Sequence, residues 1–240
     1  MKRIILSLLI SLAPYASIAQ ELEEIVVTAS RGSVDSLPGV VLTKTGDYLL
    51  LKVLLTNDTR DERAREQEIY KTLKNAITAA QKISGIELSL VEEDFVVPLN
   101  IDNYRVDLES GRRPDSAEAT IRVKTAIPKQ QKEATALVEK MKGFVKSVPV
   151  EGRTELTAVG SVAVSVVSPN SYRTDILKLV AEDIKTVTAS LGEDYRVVLE
   201  GADRPVRWVR NGSLQLTLYI PYQYLVVPIN ISSIIMAPDY

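Results

Sequence analysis

Three helical stripes of apolar residues, set between runs of β-branched residues, constrain the fold of this chain more than any other feature. Apolar residues at helical spacing predict helices over about residues 58–82, after Pro128 and after Ser168. Asn211-Gly212, between two β-branched runs, predicts a hairpin. This order predicts an α+β fold in which helices pack on mainly antiparallel sheets. Strands are predicted at about residues 48–55, 86–97, 119–127, 156–167, 195–199, 205–210 and 213–220.

The first 19 residues have the pattern of a bacterial signal peptide. Lys2 and Arg3 precede an apolar run over residues 4–10, and small residues stand just before Gln20. We therefore expect cleavage before Gln20 and a periplasmic location. The alternative is a membrane anchor, but Pro14 interrupts the run well short of the roughly 20 apolar residues that span a bilayer. We expect no transmembrane segment after cleavage.

Cysteine and histidine are both absent from the 240 residues. Without them, disulfides, a lipid-carrying cysteine, hydrolytic triads and zinc sites are largely excluded. We therefore expect no enzyme, no cofactor and no metal site, although an unrecognised carboxylate enzyme stays open as an alternative. Without Lys2 and Arg3, 27 of the 29 basic residues remain against 31 acidic ones, a formal charge of −4. This acidity argues against nucleic-acid binding.

The composition along the chain predicts four segments. They are the signal peptide (1–19), a flexible tether (20–45), a folded body (46–223) and an apolar tail (224–240). Residues 226–231 nearly repeat residues 96–101, which indicates either two related subdomains or chance. Because so apolar a tail needs a partner surface, four of its residues are candidates for self-association: Val226, Val227, Ile229 and Ile231.

A short segment directly after the predicted cleavage site resembles the TonB box of TonB-dependent outer-membrane transporters. It consists of Glu24, Ile25, Val26, Val27, Thr28 and Ala29. The resemblance implies that the segment binds the periplasmic domain of TonB as an added β-strand, which would bring the chain to the outer membrane. β-Branched residues suit such an extended contact. The alternative is that the segment is simply a strand of the folded body.

The body, from Gly46 to Tyr222, resembles the SIMPL domain family in the order and pattern of its elements. The likeness includes residues 117–123 and residues 159–165, which lead through Ser168-Pro169 into the third helix. The resemblance implies a periplasmic or secreted protein without known catalysis, in a family that includes ring-like oligomers. Two functions follow as hypotheses: an envelope protein that docks TonB, or a structural oligomer without TonB interaction.

Overall fold

The computed structural model describes residues 24–27, 37–92 and 95–230, which form a mixed α+β fold. Three α-helices lie in these residues: α1 (Glu62–Gln81), α2 (Thr135–Ser147) and α3 (Arg173–Leu191), the last preceded by a 3-10 turn over Pro169–Tyr172. The strands are β1 (Glu24–Val27), β2 (Leu42–Thr45), β3 (Tyr48–Asn57), β4 (Glu87–Glu92), β5 (Phe95–Pro98), β6 (Glu109–Ser110), β7 (Ala117–Ala126), β8 (Glu155–Ala158), β9 (Ala163–Val167), β10 (Tyr195–Glu200), β11 (Arg207–Arg210), β12 (Gln215–Tyr219) and β13 (Gln223–Pro228).

Six antiparallel strands close into a barrel in the order β7, β4, β5, β1, β9 and β3, because β3 pairs again with β7. The β3–β7 pair is the longest, running from Tyr48 opposite Ala126 to Asn57 opposite Ala117. Strands β6 and β8 extend the sheet beside β7 and β3. In the described part of the chain β5 and β9 do not pair with each other. Strand β1 therefore closes the barrel between them.

The alternation of side chains along β3 separates the inside of the barrel from its outer face. Leu49, Leu51 and Val53 are buried in a cluster that also contains apolar residues of α1 and α2. Leu50, between the first two, points the other way and packs with Val26 and Ala163. Both faces of this strand are thus buried, which explains why its sequence reads as one continuous apolar run.

Helix α1 covers the outer face of the barrel with the apolar stripe that its sequence predicts. It begins at Glu62, after Asp61, whose side chain accepts a hydrogen bond from the Ala64 N–H at 2.8 Å. This cap places the start of the helix four residues after the predicted start at residue 58. Ile69, Leu73 and Ile77 are buried beneath it.

Helix α3 packs on a second, smaller core. Ile176 and Val180 are buried against Leu218 and Ile220, which belong to β12 and the residue after it. Strand β12 lies between β11 and β2, and the β11–β12 pair confirms the predicted Asn-Gly hairpin. Strands β10 and β13 form a separate two-stranded ribbon, in which Tyr195 lies opposite Pro228 and Glu200 opposite Gln223.

The structure corrects the prediction of a flexible tether over residues 20–45. Glu24–Val27 is a strand of the barrel, and Leu42–Thr45 pairs with β12. Glu24–Val27 therefore lies where the alternative prediction placed it, in a strand of the folded body. The predicted tail is also different, because Gln223–Pro228 pairs along its whole length with β10. Thr28, Ala29 and Ile231 lie outside the described residues, as does the predicted signal peptide.

Two predicted strands are each divided. Residues 86–97 contain β4 and β5, which pair with each other around the acidic stretch that follows Val91. Residues 156–167 contain β8 and β9, separated by Gly160, whose φ of 70° is unfavourable for residues with a side chain. Strand β8 pairs with one end of β3 and β9 with the other.

Candidate partner-binding site

The segment that resembles a TonB box lies in the barrel wall as β1. Its four described residues pair antiparallel with β9, from Glu24 opposite Val167 to Val27 opposite Val164. On its other side β1 meets β5 at one position, where Ile25 lies opposite Phe95. Strand β1 is therefore held mainly by one neighbour, and this neighbour is distant from it in the sequence.

The Glu24 carboxylate anchors the strand inside the barrel. One oxygen accepts a hydrogen bond from the Lys124 ammonium, and the other accepts one from the Ser165 hydroxyl at 2.6 Å. The side chains of Glu24 and Lys124 are only 11% and 10% exposed. Charge-assisted hydrogen bonds between buried partners are among the stronger ones in proteins. Loss of one partner would leave the other charge buried without compensation.

Lys124 has two further contacts at this anchor. Its Nζ lies 3.8 Å from the centre of the Tyr48 ring and 3.6 Å from a carboxylate oxygen of Glu87. The side chain of Glu87 is 59% exposed, so water screens its attraction for Lys124 more strongly than that of Glu24. The position of Lys124 therefore depends mainly on Glu24 and the Tyr48 ring.

Ile25 and Val26 of β1 are buried on opposite faces. Val26 packs inside the barrel on Leu50 and Ala163, while Val91 and Val96 cover this cluster from β4 and β5. Ile25 is 6% exposed and lies opposite Val166. Because successive side chains alternate, a slip of one residue would move Glu24 out of the barrel and an apolar residue to Lys124. The pattern fixes one register.

A cavity of about 330 Å³ borders the anchor, and its lining includes Glu24, Lys124, Glu87 and Ser89. The Ser89 hydroxyl, in a residue only 1% exposed, has no hydrogen-bond partner among the described atoms. Arg122 lies directly opposite Ser89, and its buried Nη1 also has no hydrogen-bond partner among the described atoms. Burial lowers the pKa of the Arg122 guanidinium. The cavity next to β1 is therefore partly polar, because Ser89 lines it together with the charged side chains of Glu24, Glu87 and Lys124.

Three of the four tail residues proposed for self-association are described by the structure, and they differ in exposure. Val227 is buried, which corrects its assignment as an intermolecular contact, because it packs within its own chain. Val226 is half-buried opposite Val197, and Ile229 is 57% exposed. Leu225 and Tyr224, which are not among these four residues, are about 40% exposed on β13.

Sequence reasoning missed Lys124 and Ser165 as partners of Glu24, in the segment that resembles a TonB box. A signal for Lys124 existed, since it is a charged residue within the otherwise apolar run around Val123. A buried lysine in a strand is expected to have a nearby carboxylate that compensates its charge. Nothing in the sequence says that this carboxylate is Glu24, 100 residues away in the chain.

The chain matches no protein-family model, no curated protein and no solved structure. Among the described helices none is long and apolar enough to cross a membrane. The described residues also contain no group of three or more acidic side chains placed to hold a metal ion.

Proposed function

We propose that this chain is a non-enzymatic, SIMPL-like periplasmic protein that binds an envelope partner by strand addition through β1. The observation that carries the proposal is the place of Glu24–Val27, an isolated strand that closes a barrel without a hairpin to either neighbour. Such a strand is able to pair with the barrel in one state and with a partner's sheet edge in another. The likeness to a TonB box makes the periplasmic domain of TonB the candidate partner.

The few contacts of β1 support reversible release. The strand has four residues, two buried apolar side chains and one carboxylate with two hydrogen bonds. A partner that offers a comparable sheet edge competes with the barrel for it.

A disulfide lock tests this proposal. Ile25 and Val166 lie directly opposite each other, within the Cα separation that a disulfide spans. The chain has no cysteine, so Ile25→Cys with Val166→Cys creates a single pair. Pull-down with the TonB periplasmic domain should succeed with the reduced protein and fail with the oxidised one. The same protein in its two redox states is its own control.

Two results would contradict the proposal. Equal capture of the oxidised and reduced protein would show that the contact does not use β1. No capture of either form, nor of the unmodified chain, would remove TonB as the partner.

A second candidate function is a structural oligomer with no TonB interaction. It is favoured by the β10–β13 ribbon, where Tyr195, Tyr224 and Leu225 are each about 40% exposed and Ile229 more so. Neighbouring apolar side chains with this exposure suit contact with another protein surface. Light scattering of the mature chain distinguishes this function, because it requires an assembly in the absence of any partner.

A further inference from the structure

The gap between β5 and β9 is a binding groove in its own right. When β1 leaves it, the edges of β5 and β9 lose their partner, and Leu50 and Ala163 lose the side chain that covers them. Lys124 keeps only the exposed Glu87 as an acidic neighbour. An open groove therefore has unpaired backbone groups, an apolar floor and one buried positive charge. Each of these features favours the binding of another strand in place of β1.

These features specify the segment that fits. It must be extended, with a carboxylate at the position that meets Lys124 and Ser165 and a β-branched residue two positions later. The residue between them must be apolar, because it faces Val166. The Glu24–Val27 segment of any copy of this chain meets all three conditions.

The chain is also long enough to place β1 in a neighbouring molecule. From Val27 to Leu37, where the described body resumes, there are ten Cα steps. Fully extended, they reach about 33–36 Å, which is about the diameter of a small domain. Exchange between identical chains preserves every contact of β1, so it costs only the entropy of association.

We infer that the β5–β9 groove accepts Glu24–Val27 from a second copy of this chain, which links protomers by strand exchange. This inference rests on the release of β1 that the proposed function also requires. It places the self-association surface at the barrel, whereas the oligomer discussed above uses the β10–β13 ribbon. Docking of β1 on an envelope partner vacates the groove, so partner binding and strand exchange are coupled.

Mixing two single-cysteine variants tests the inference. Ile25→Cys and Val166→Cys chains are unfolded together in denaturant, refolded at increasing protein concentration and then oxidised. A strand of the first variant that enters the groove of the second places the two sulfurs opposite each other. We expect a covalent heterodimer on a non-reducing gel, with a yield that rises with concentration. A mixture of Ile25→Cys with Ser190→Cys is the control, and it measures the yield of disulfides that form by random collision. Ser190 is an exposed position on α3.

Three outcomes separate the inference from the proposed function. A heterodimer yield no higher than that of the Ser190→Cys mixture overturns strand exchange, while TonB capture of the unmodified chain leaves the docking proposal in place. Loss of the heterodimer when Val26→Pro is added to the Ile25→Cys chain supports exchange, because proline removes a backbone donor from the incoming strand. A double variant that forms neither an intramolecular nor an intermolecular disulfide shows that β1 does not occupy the groove, and both proposals then fall.

Discussion

Glu24 combines two roles in this molecule. Its carboxylate fixes the register of β1, and it neutralises Lys124 inside the barrel. A register slip by one residue would break both hydrogen bonds at once. The strength of this anchor therefore determines how easily β1 leaves the barrel.

Glu24→Gln should lower the free energy of unfolding by about 2–4 kcal/mol, since it leaves Lys124 buried without its counter-charge. Adding Lys124→Met should recover much of this loss, because no charge then remains inside the barrel. Urea denaturation of the unmodified chain and of these two variants measures both effects. Glu139→Gln is the control, because it removes an exposed pair with Lys142 and should change stability by less than about 0.5 kcal/mol. Equal effects at Glu24 and Glu139 would contradict the anchor.

Glu68 on α1 gives the molecule a pH dependence. Its carboxylate accepts hydrogen bonds from the Asn57 side chain, the Arg153 backbone N–H and the Thr59 hydroxyl, at 2.8, 3.0 and 2.8 Å. These bonds, that of Asn57 first, lower the pKa of Glu68 below its ordinary value. Because the folded pKa is depressed, the stabilisation is complete above the unfolded pKa of about 4.3 and is lost as pH falls through the folded value.

Glu68→Gln should therefore flatten the acid side of the stability profile. The melting temperature of the unmodified chain is expected to fall as the pH drops below the unfolded pKa of about 4.3, and part of that fall should be missing in the variant. Glu66→Gln, an exposed residue on the same helix, serves as the control and should keep the full decline. A profile of Glu68→Gln that overlays the unmodified one would contradict this role.

At the scale of elements, β1 is the strand on which the barrel depends for closure. Val26→Pro removes a backbone donor in the middle of this strand and fixes φ. We expect the melting temperature to fall by several degrees, because Val26 is paired with Ser165 and packed on Leu50. Val26→Ala removes the same side-chain packing but keeps the N–H, so the difference between the variants isolates the backbone. If Val26→Pro melted like Val26→Ala, β1 would not be an integral strand.

The helices and most strands could be predicted from the sequence because their patterns are local. The stripe of α1 has helical spacing, and Asn211-Gly212 marks its hairpin within a few residues. The place of β1 could not be predicted, since its partners Phe95 and Val166 are about 70 and 140 residues away. Four extended residues carry the same local pattern whether they pair with their own barrel or with another protein.

The pairing of the tail with β10 could not be predicted from the sequence for a related reason. The apolar run after Gln223 indicates burial, and in the structure this run pairs with Tyr195–Glu200. Leu225 and Val227 lie two residues apart on the same face of β13, yet Val227 is buried and Leu225 is exposed. Alternation assigns both residues to one face and does not say how much of that face other elements cover.

At the scale of the whole molecule, the ribbon is the part whose apolar residues are least covered. Leu225→Lys with Ile229→Lys should abolish any assembly that uses this surface while β13 stays paired. Truncation after Gln223 should instead unfold the ribbon, because it deletes the residues that pair with Tyr195–Leu199. Light scattering and circular dichroism separate the two effects. An unchanged assembly in the double lysine variant would exclude the ribbon as its interface.

Strand β1 has four residues and is joined to neither of its barrel neighbours by a hairpin, and the central claim is that this strand opens without global unfolding. Native-state hydrogen exchange measures this directly, by comparing the peptide containing residues 24–27 with peptides from β3 and β7. We predict that β1 exchanges through an opening of only a few kcal/mol, well below the free energy that protects β3 and β7. Protection of β1 equal to that of β3 would contradict the account, because the strand would then leave the barrel only when the whole fold is lost.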